Sequence, residues 1–168
     1  HCAYPKTENW GKSFSDLCLE SINTHLNIQL GSAIILSKIF CEYMQMNGGG
    51  SLIHISSIQG LGAPKFEHYH GLEMSSPVEY TAIKAAKIAM TKWLSKYHSN
   101  ENIRINCVSP GGIEDGQPEE FIKRYRSSCT NIGLLHPAEI SNVIVFLLSD
   151  LSKGINGHNL LVDDGWSL

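Results

Sequence analysis

A short apolar run, Ser51-Leu52-Ile53-His54-Ile55, a long helical pattern from about Val78 to His98 and a second apolar run, Ile103-Arg104-Ile105-Asn106-Cys107-Val108, follow one another along the chain. Buried strands separated by helices of that length imply a doubly wound parallel sheet with helices on both faces, an α/β fold. The flanking segments continue the alternation. Ser15, followed by Asp16, is the expected N-cap of a first helix that carries Leu19, Ile22, Leu26, Leu30, Ile34 and Phe40 to about Met44, and Asn47-Gly48-Gly49-Gly50 stops it. Pro118 suits the first turn of a polar helix ending near Ser128, Pro137 opens another from Ala138 to Leu148, and Asn159-Leu160-Leu161-Val162 reads as the last strand. In the helix from Val78, the small residues Ala82, Ala85, Ala86 and Ala89 share one face, with Ile83, Met90, Trp93, Leu94 and Tyr97 adding apolar bulk. Gly60 to Pro77 has glycines, two prolines and no sustained period, so it reads as a long surface loop, and loops of that length are usually functional.

Composition removes several classes of function. The chain has 168 residues, with 13 Lys and Arg against 16 Asp and Glu and a net charge of −3, so no basic surface is expected for nucleic acid. The longest apolar runs, such as Val143 to Leu148, fall far short of the roughly 20 residues that cross a bilayer. The 5 cysteines are odd in number and contain no Cys-x-x-Cys pair, which suits free thiols in a reducing compartment, the cytoplasm.

In open parallel sheets ligands bind beyond the carboxyl ends of the strands. Ser56-Ser57 lies just past one such end and Ser109-Pro110-Gly111-Gly112 just past the next. The helix between them begins with Tyr80-Thr81-Ala82-Ile83-Lys84, which puts a phenol and an ammonium one turn apart on one helix face. A cation beside a phenol favours the phenolate, so the pair can exchange a proton with an alcohol or a carbonyl. By itself the pair is a weak signal, and the convergence of three segments on one crevice strengthens it.

Four motifs in order now resemble the short-chain dehydrogenase/reductase family, over essentially the whole chain. They are Gly50 to Ser57, Tyr80 to Lys84, Ile103 to Gly111, and Gly157 to Gly165. The resemblance implies a Rossmann-type domain and an NAD- or NADP-dependent interconversion of an alcohol and a carbonyl. Tyr80 would be the general acid/base, Lys84 would lower its pKa and bind the nicotinamide ribose, and Ser57 would orient the substrate oxygen. Pro110, Gly111, Gly112 and Ile113 would hold the carboxamide, with Ala3 on the cofactor's other side. It further implies a homodimer or homotetramer built through the Ala-rich helix and the Asn27 helix. The family's glycine-rich phosphate loop does not occur here, and His1-Cys2-Ala3-Tyr4-Pro5 falls where the family ends its fourth strand. Residues 1–168 are therefore expected to be one domain lacking its amino-terminal dinucleotide-binding half.

Within that pattern, Asn27 matches the family's relay asparagine by type and Gln29 by register; two residues are about 200° around a helix, so only one of them points inward. The segment Lys65 to Glu73 exceeds the family's usual spacing between Ser57 and Tyr80 and lies where substrate enters. Its charged and aromatic residues suit a polar, hydroxylated small molecule, and His68 and His70 read as solvated and not as metal ligands. Glu114 and Asp115 disfavour an anionic substrate beside them. The inserted loop, the Ser-Pro-Gly-Gly-Ile turn and the Val-Asp-Asp-Gly-Trp-Ser-Leu ending look most like the family's flagellin-modification and nonulosonate-pathway oxidoreductases, which implies an amino-sugar or sugar-phosphate substrate.

Overall fold

The computed structural model describes residues 4–168. Three strands, β1 (Gly50–Ile55), β2 (Ile103–Pro110) and β3 (Asn159–Val162), form a parallel sheet in the order β1-β2-β3. Gly50 pairs with Ile103 and Ile55 with Val108, while Cys107 pairs with Asn159 and Pro110 with Val162. The helices are α1 (Leu19–His25), α2 (Ser32–Met46), α3 (Val78–Tyr97), α4 (Glu119–Arg126) and α5 (Pro137–Leu148).

Strand alternation assigns the two faces of the sheet. Leu52, Ile103 and Ile105 pack with Cys41 of α2 and Leu94 of α3 on one side. Ile53 and Val108 pack with Leu135, Ile140 and Leu147 on the α5 side. Several polar groups inside this frame are matched. His54 sits between Ser37 Oγ at 2.9 Å and Thr91 Oγ1 at 2.8 Å, and burial lowers its pKa to about 4, so it works as a neutral linker between α2 and α3. Arg104 donates to the Leu147, Ser149 and Ser152 carbonyls and so satisfies the end of α5. After β3, Asp164 accepts from the backbone N–H groups of Asn131, Ile132 and Gly133, which pulls its pKa down to about 2 and ties the carboxyl tail to the loop after α4.

Some local expectations are corrected. Phe14–Asp16 is a separate 3₁₀ turn, with Ser13 Oγ bonded to Asp16, so Ser15 does not cap the first helix; α1 starts at Leu19 after Cys18. Between α1 and α2 the chain makes a π-helical turn, Leu26–Gly31. Ala82, Ala85 and Ala89 are exposed, and Trp93 and Tyr97 also lie at the surface, stacked at 4.8 Å. His68 is buried against Phe121, Tyr125 and Trp166. Cys41 and Cys107 are buried thiols, whereas Cys18 is exposed. Among the described residues no helix is long and apolar enough to cross a membrane.

Candidate active site

Ser57 follows β1 in extended backbone, and its Oγ accepts the Gln59 N–H at 3.2 Å, which fixes the hydroxyl at the strand's carboxyl end. The short turn Ile58–Gly60 then presses on α3. Ser56 Oγ donates to the Lys84 carbonyl at 2.7 Å. A Cβ on Gly60 would lie 2.7 Å from the Lys84 carbonyl carbon and 2.9 Å from the Ala85 nitrogen, backbone atoms that cannot turn aside. Gly60→Ala is therefore expected to wedge the turn from α3, at a cost of about 1–3 kcal/mol. Thermal denaturation checks it, and an unchanged melting temperature refutes the contact.

Tyr80 stands in the first turn of α3 with its hydroxyl hydrogen-bonded to Ser57. Its ring packs edge-on to Tyr4 at 5.5 Å and lies 6.4 Å from Trp10. Lys84, one turn on, is buried; its Nζ donates to the Ile55 carbonyl at 3.3 Å and lies 5.2 Å from the Tyr80 ring centroid and 5.6 Å from that of Tyr4. The spacing thus brings Ser57, Tyr80 and Lys84 together. The electrostatics differ from the sequence expectation: Tyr80 is pushed above the ordinary tyrosine pKa of 10.0, because burial disfavours the phenolate more than the Ser57 hydrogen bond favours it.

The two candidate amides, both in the π-helical turn, differ in burial. Gln29 is 1% exposed, with Nε2 donating to the Pro5 carbonyl at 2.8 Å, whereas Asn27 faces outward. Such turns are frequent where a functional side chain must be re-aimed.

A cleft of about 620 Å³ opens over this group, lined by Ser57, Tyr80, Tyr69, Ile113, Phe121 and Trp166 among others. Pro110 ends β2, Gly111 donates to the Val162 carbonyl, and Gly112 donates to the Tyr125 hydroxyl at 2.5 Å. Ile113 bridges to Leu135 in parallel register, and the bonds of that bridge are made by Gly112 and Glu114. Its own N–H consequently points away and has no acceptor among the described residues, which fits a carboxamide oxygen. Ala3 lies outside the described residues. Glu114 and Asp115 line the same cleft.

Sequence reasoning missed four contributors. Tyr4 and Trp10 wall the Tyr80 ring, and their aromatic character was the available signal. His25 and Glu79 form a buried pair beside it, with Nδ1 to Oε1 at 3.7 Å, and nothing in their spacing announces a contact.

Residues 2–167 match the family model described as enoyl-(acyl carrier protein) reductase. The chain is 41% identical over 167 residues to a post-translational flagellin modification protein A of Campylobacter coli, covering 99% of this chain and 65% of that protein. It is 30% identical to a 7alpha-hydroxysteroid dehydrogenase of Bacteroides fragilis, over 86% of this chain and 53% of that one. A solved short chain dehydrogenase of Leptospira borgpetersenii with bound NAD+ superposes with a TM-score of 0.86 at 30% identity, covering 94% of this chain and 60% of that chain. A 4-hydroxyisoleucine dehydrogenase complexed with NADH gives a TM-score of 0.78 at 25% identity, with 93% and 63% covered. This chain thus spans less than two thirds of each of these relatives. With the family model matched almost end to end and the parallel sheet shared, the chain belongs to the short-chain dehydrogenase/reductase family.

Proposed function

We propose that the protein carrying this chain interconverts an alcohol and a carbonyl with NAD or NADP, using Tyr80 as the proton-transferring group and acting on a polar, sugar-like small molecule. The observation that carries the reading is the Tyr80 hydroxyl bonded to Ser57 at the carboxyl end of β1, with Lys84 buried beneath it and the Ile113 N–H across the cleft. The cofactor, when bound, supplies the hydride acceptor or donor. Ser57 holds the substrate oxygen, and Tyr80 passes a proton to it or takes one from it. Because burial keeps the phenol protonated at neutral pH, its resting state is productive for reduction. Lys84 and the Ile113 N–H hold the nicotinamide end of the cofactor, and Gln29 links the buried side of the site toward the Pro5 carbonyl as a relay position. Aromatic faces at Tyr69, Phe121 and Trp166 beside the amides of Gln59 and Gln117 suit a hydroxylated ring. The likeness to a flagellin modification protein supports a substrate of that kind. Assembly as a homodimer or homotetramer belongs to the same reading, since Ile35 and Tyr43 of α2 and Trp93 of α3 are more than half exposed.

The test is a thermal-shift titration of the full-length protein with NAD and with NADP. Saturation at about 100 times the dissociation constant stabilises by about 2.7 kcal/mol and raises the melting temperature by several degrees. No shift with either dinucleotide rejects the dehydrogenase reading and leaves a fold used for binding or assembly.

A further inference from the structure

A second cavity, of about 510 Å³, adjoins the active-site cleft at Tyr69 and Met74, which line both spaces. Its other walls include Phe14 and Leu17 of the segment before α1, Pro64 and Phe66 of the long loop, and Val78 at the start of α3. Ser75 Oγ donates to the Gly11 carbonyl at 2.9 Å and ties the two sides together, so the space is built into the fold. The polar groups along it are mostly spent inside the protein. Ser13 Oγ donates to Asp16 at 2.6 Å and Ser76 Oγ to Gln59 Oε1 at 2.5 Å, while the Tyr69 hydroxyl is held by Gln59 and Ser76. What the cavity offers a ligand is therefore mainly hydrocarbon, and part of it stands in water: Phe14 is 80% and Phe66 64% exposed. An apolar occupant of small-molecule size would remove that surface from water.

The partition between the two spaces is unequal in stiffness. The Tyr69 ring packs on Phe121 at 5.4 Å and its hydroxyl is bonded, whereas Met74 is an unbranched thioether that can turn aside. A molecule held by Ser57 and Tyr80 thus reaches the cavity with a substituent that passes Met74. Resting on the reading given above, we propose that the cavity is a second subsite of the same binding site and takes an unbranched alkyl or acyl chain carried by the hydroxylated ring of the substrate. The substrate class is then an amphiphile, a ring with several hydroxyls and one apolar chain. The long loop serves both ends of such a molecule, with Tyr69 and Met74 on the cleft and Pro64 and Phe66 on the cavity alone.

The test measures binding of methyl, butyl and hexyl β-D-glucoside to the full-length protein, with and without NAD or NADP, by calorimetry or saturation-transfer NMR; turnover is read separately. Each pair of methylene groups that enters the cavity should tighten binding about tenfold, so hexyl should bind about tenfold more tightly than butyl, and methyl most weakly. Phe66→Ser and Val78→Asp should bring the three probes to within about threefold of one another. Both side chains stand largely in water, so the melting temperature should hold and serves as the check on folding. No binding of the hexyl glucoside, no dependence on chain length in wild type, or a dependence that survives both substitutions overturns the inference. A change in oligomeric mass in Phe66→Ser, with chain-length dependence intact, also overturns it and gives the cavity to a second copy of the chain. Chain-length dependence in a protein that neither dinucleotide stabilises removes the dehydrogenase reading and leaves the cavity as a site for apolar chains.

Discussion

Tyr80→Phe lowers turnover of the full-length protein by about 10²- to 10⁴-fold, the range that a positioned general acid or base contributes. The substitution removes only the hydroxyl. The ring keeps its edge-on contacts with Tyr4 and Trp10 and its place over Lys84, so the cleft retains its shape. Melting temperature should move little, because the hydroxyl contributes one hydrogen bond, to Ser57, worth about 1 kcal/mol. Stabilisation by NAD or NADP should persist for the same reason. Initial rates and a thermal-shift titration on the same preparation separate lost chemistry from lost folding. In the wild type, reduction should be insensitive to Tyr80 through neutral pH and decline only at alkaline pH, since the group titrates above the ordinary 10.0 and donates only while protonated. Turnover retained by Tyr80→Phe rejects the assignment.

The sequence carried the frame because the frame depends on repeated, local signals. Strand boundaries at β1 and β3 and the start of α3 follow from apolar runs, glycine stops and a preceding proline, each decided within a few residues. Ser57, Tyr80 and Lys84 were legible because helical spacing and strand-end position are also local properties. What depended on three-dimensional neighbours was not. His68 looked like a solvated loop histidine, yet the loop folds back so that α4 and the carboxyl tail close over it. Gln29 and Asn27 compete on a register that the π-helical turn alters, and no periodicity argument anticipates a turn of that kind. The buried pair of His25 and Glu79 was invisible because each residue, taken alone, reads as an ordinary helix-surface group.

That pair is where stability should be most sensitive. The side chains of His25 and Glu79 are 0% and 2% exposed, and apart from the Nδ1 to Oε1 approach of 3.7 Å neither Glu79 oxygen has a hydrogen-bond partner among the described residues. His25 is better provided for, with Nε2 at 2.7 Å from Thr7 Oγ1 and its ring against Trp10 at 4.7 Å. The two removals are therefore unequal. His25→Leu leaves a buried carboxyl with nothing opposite it, and is expected to cost about 3–5 kcal/mol, a fall in melting temperature of roughly 6–20 °C. Glu79→Leu leaves an imidazole still hydrogen-bonded to Thr7, so the loss should be smaller. Combining both should return the protein close to the Glu79→Leu value, because the double variant no longer buries an unpaired acid. Denaturation of the four proteins measures the coupling, and strictly additive losses would show that the two side chains do not interact. Glu79 directly precedes Tyr80, and His25 lies one turn before Gln29. Any residual loosening in the double variant should therefore appear as reduced turnover even where the melting temperature has recovered, since the pair ties the start of α3 to α1 at the point where the proton-transferring group is held.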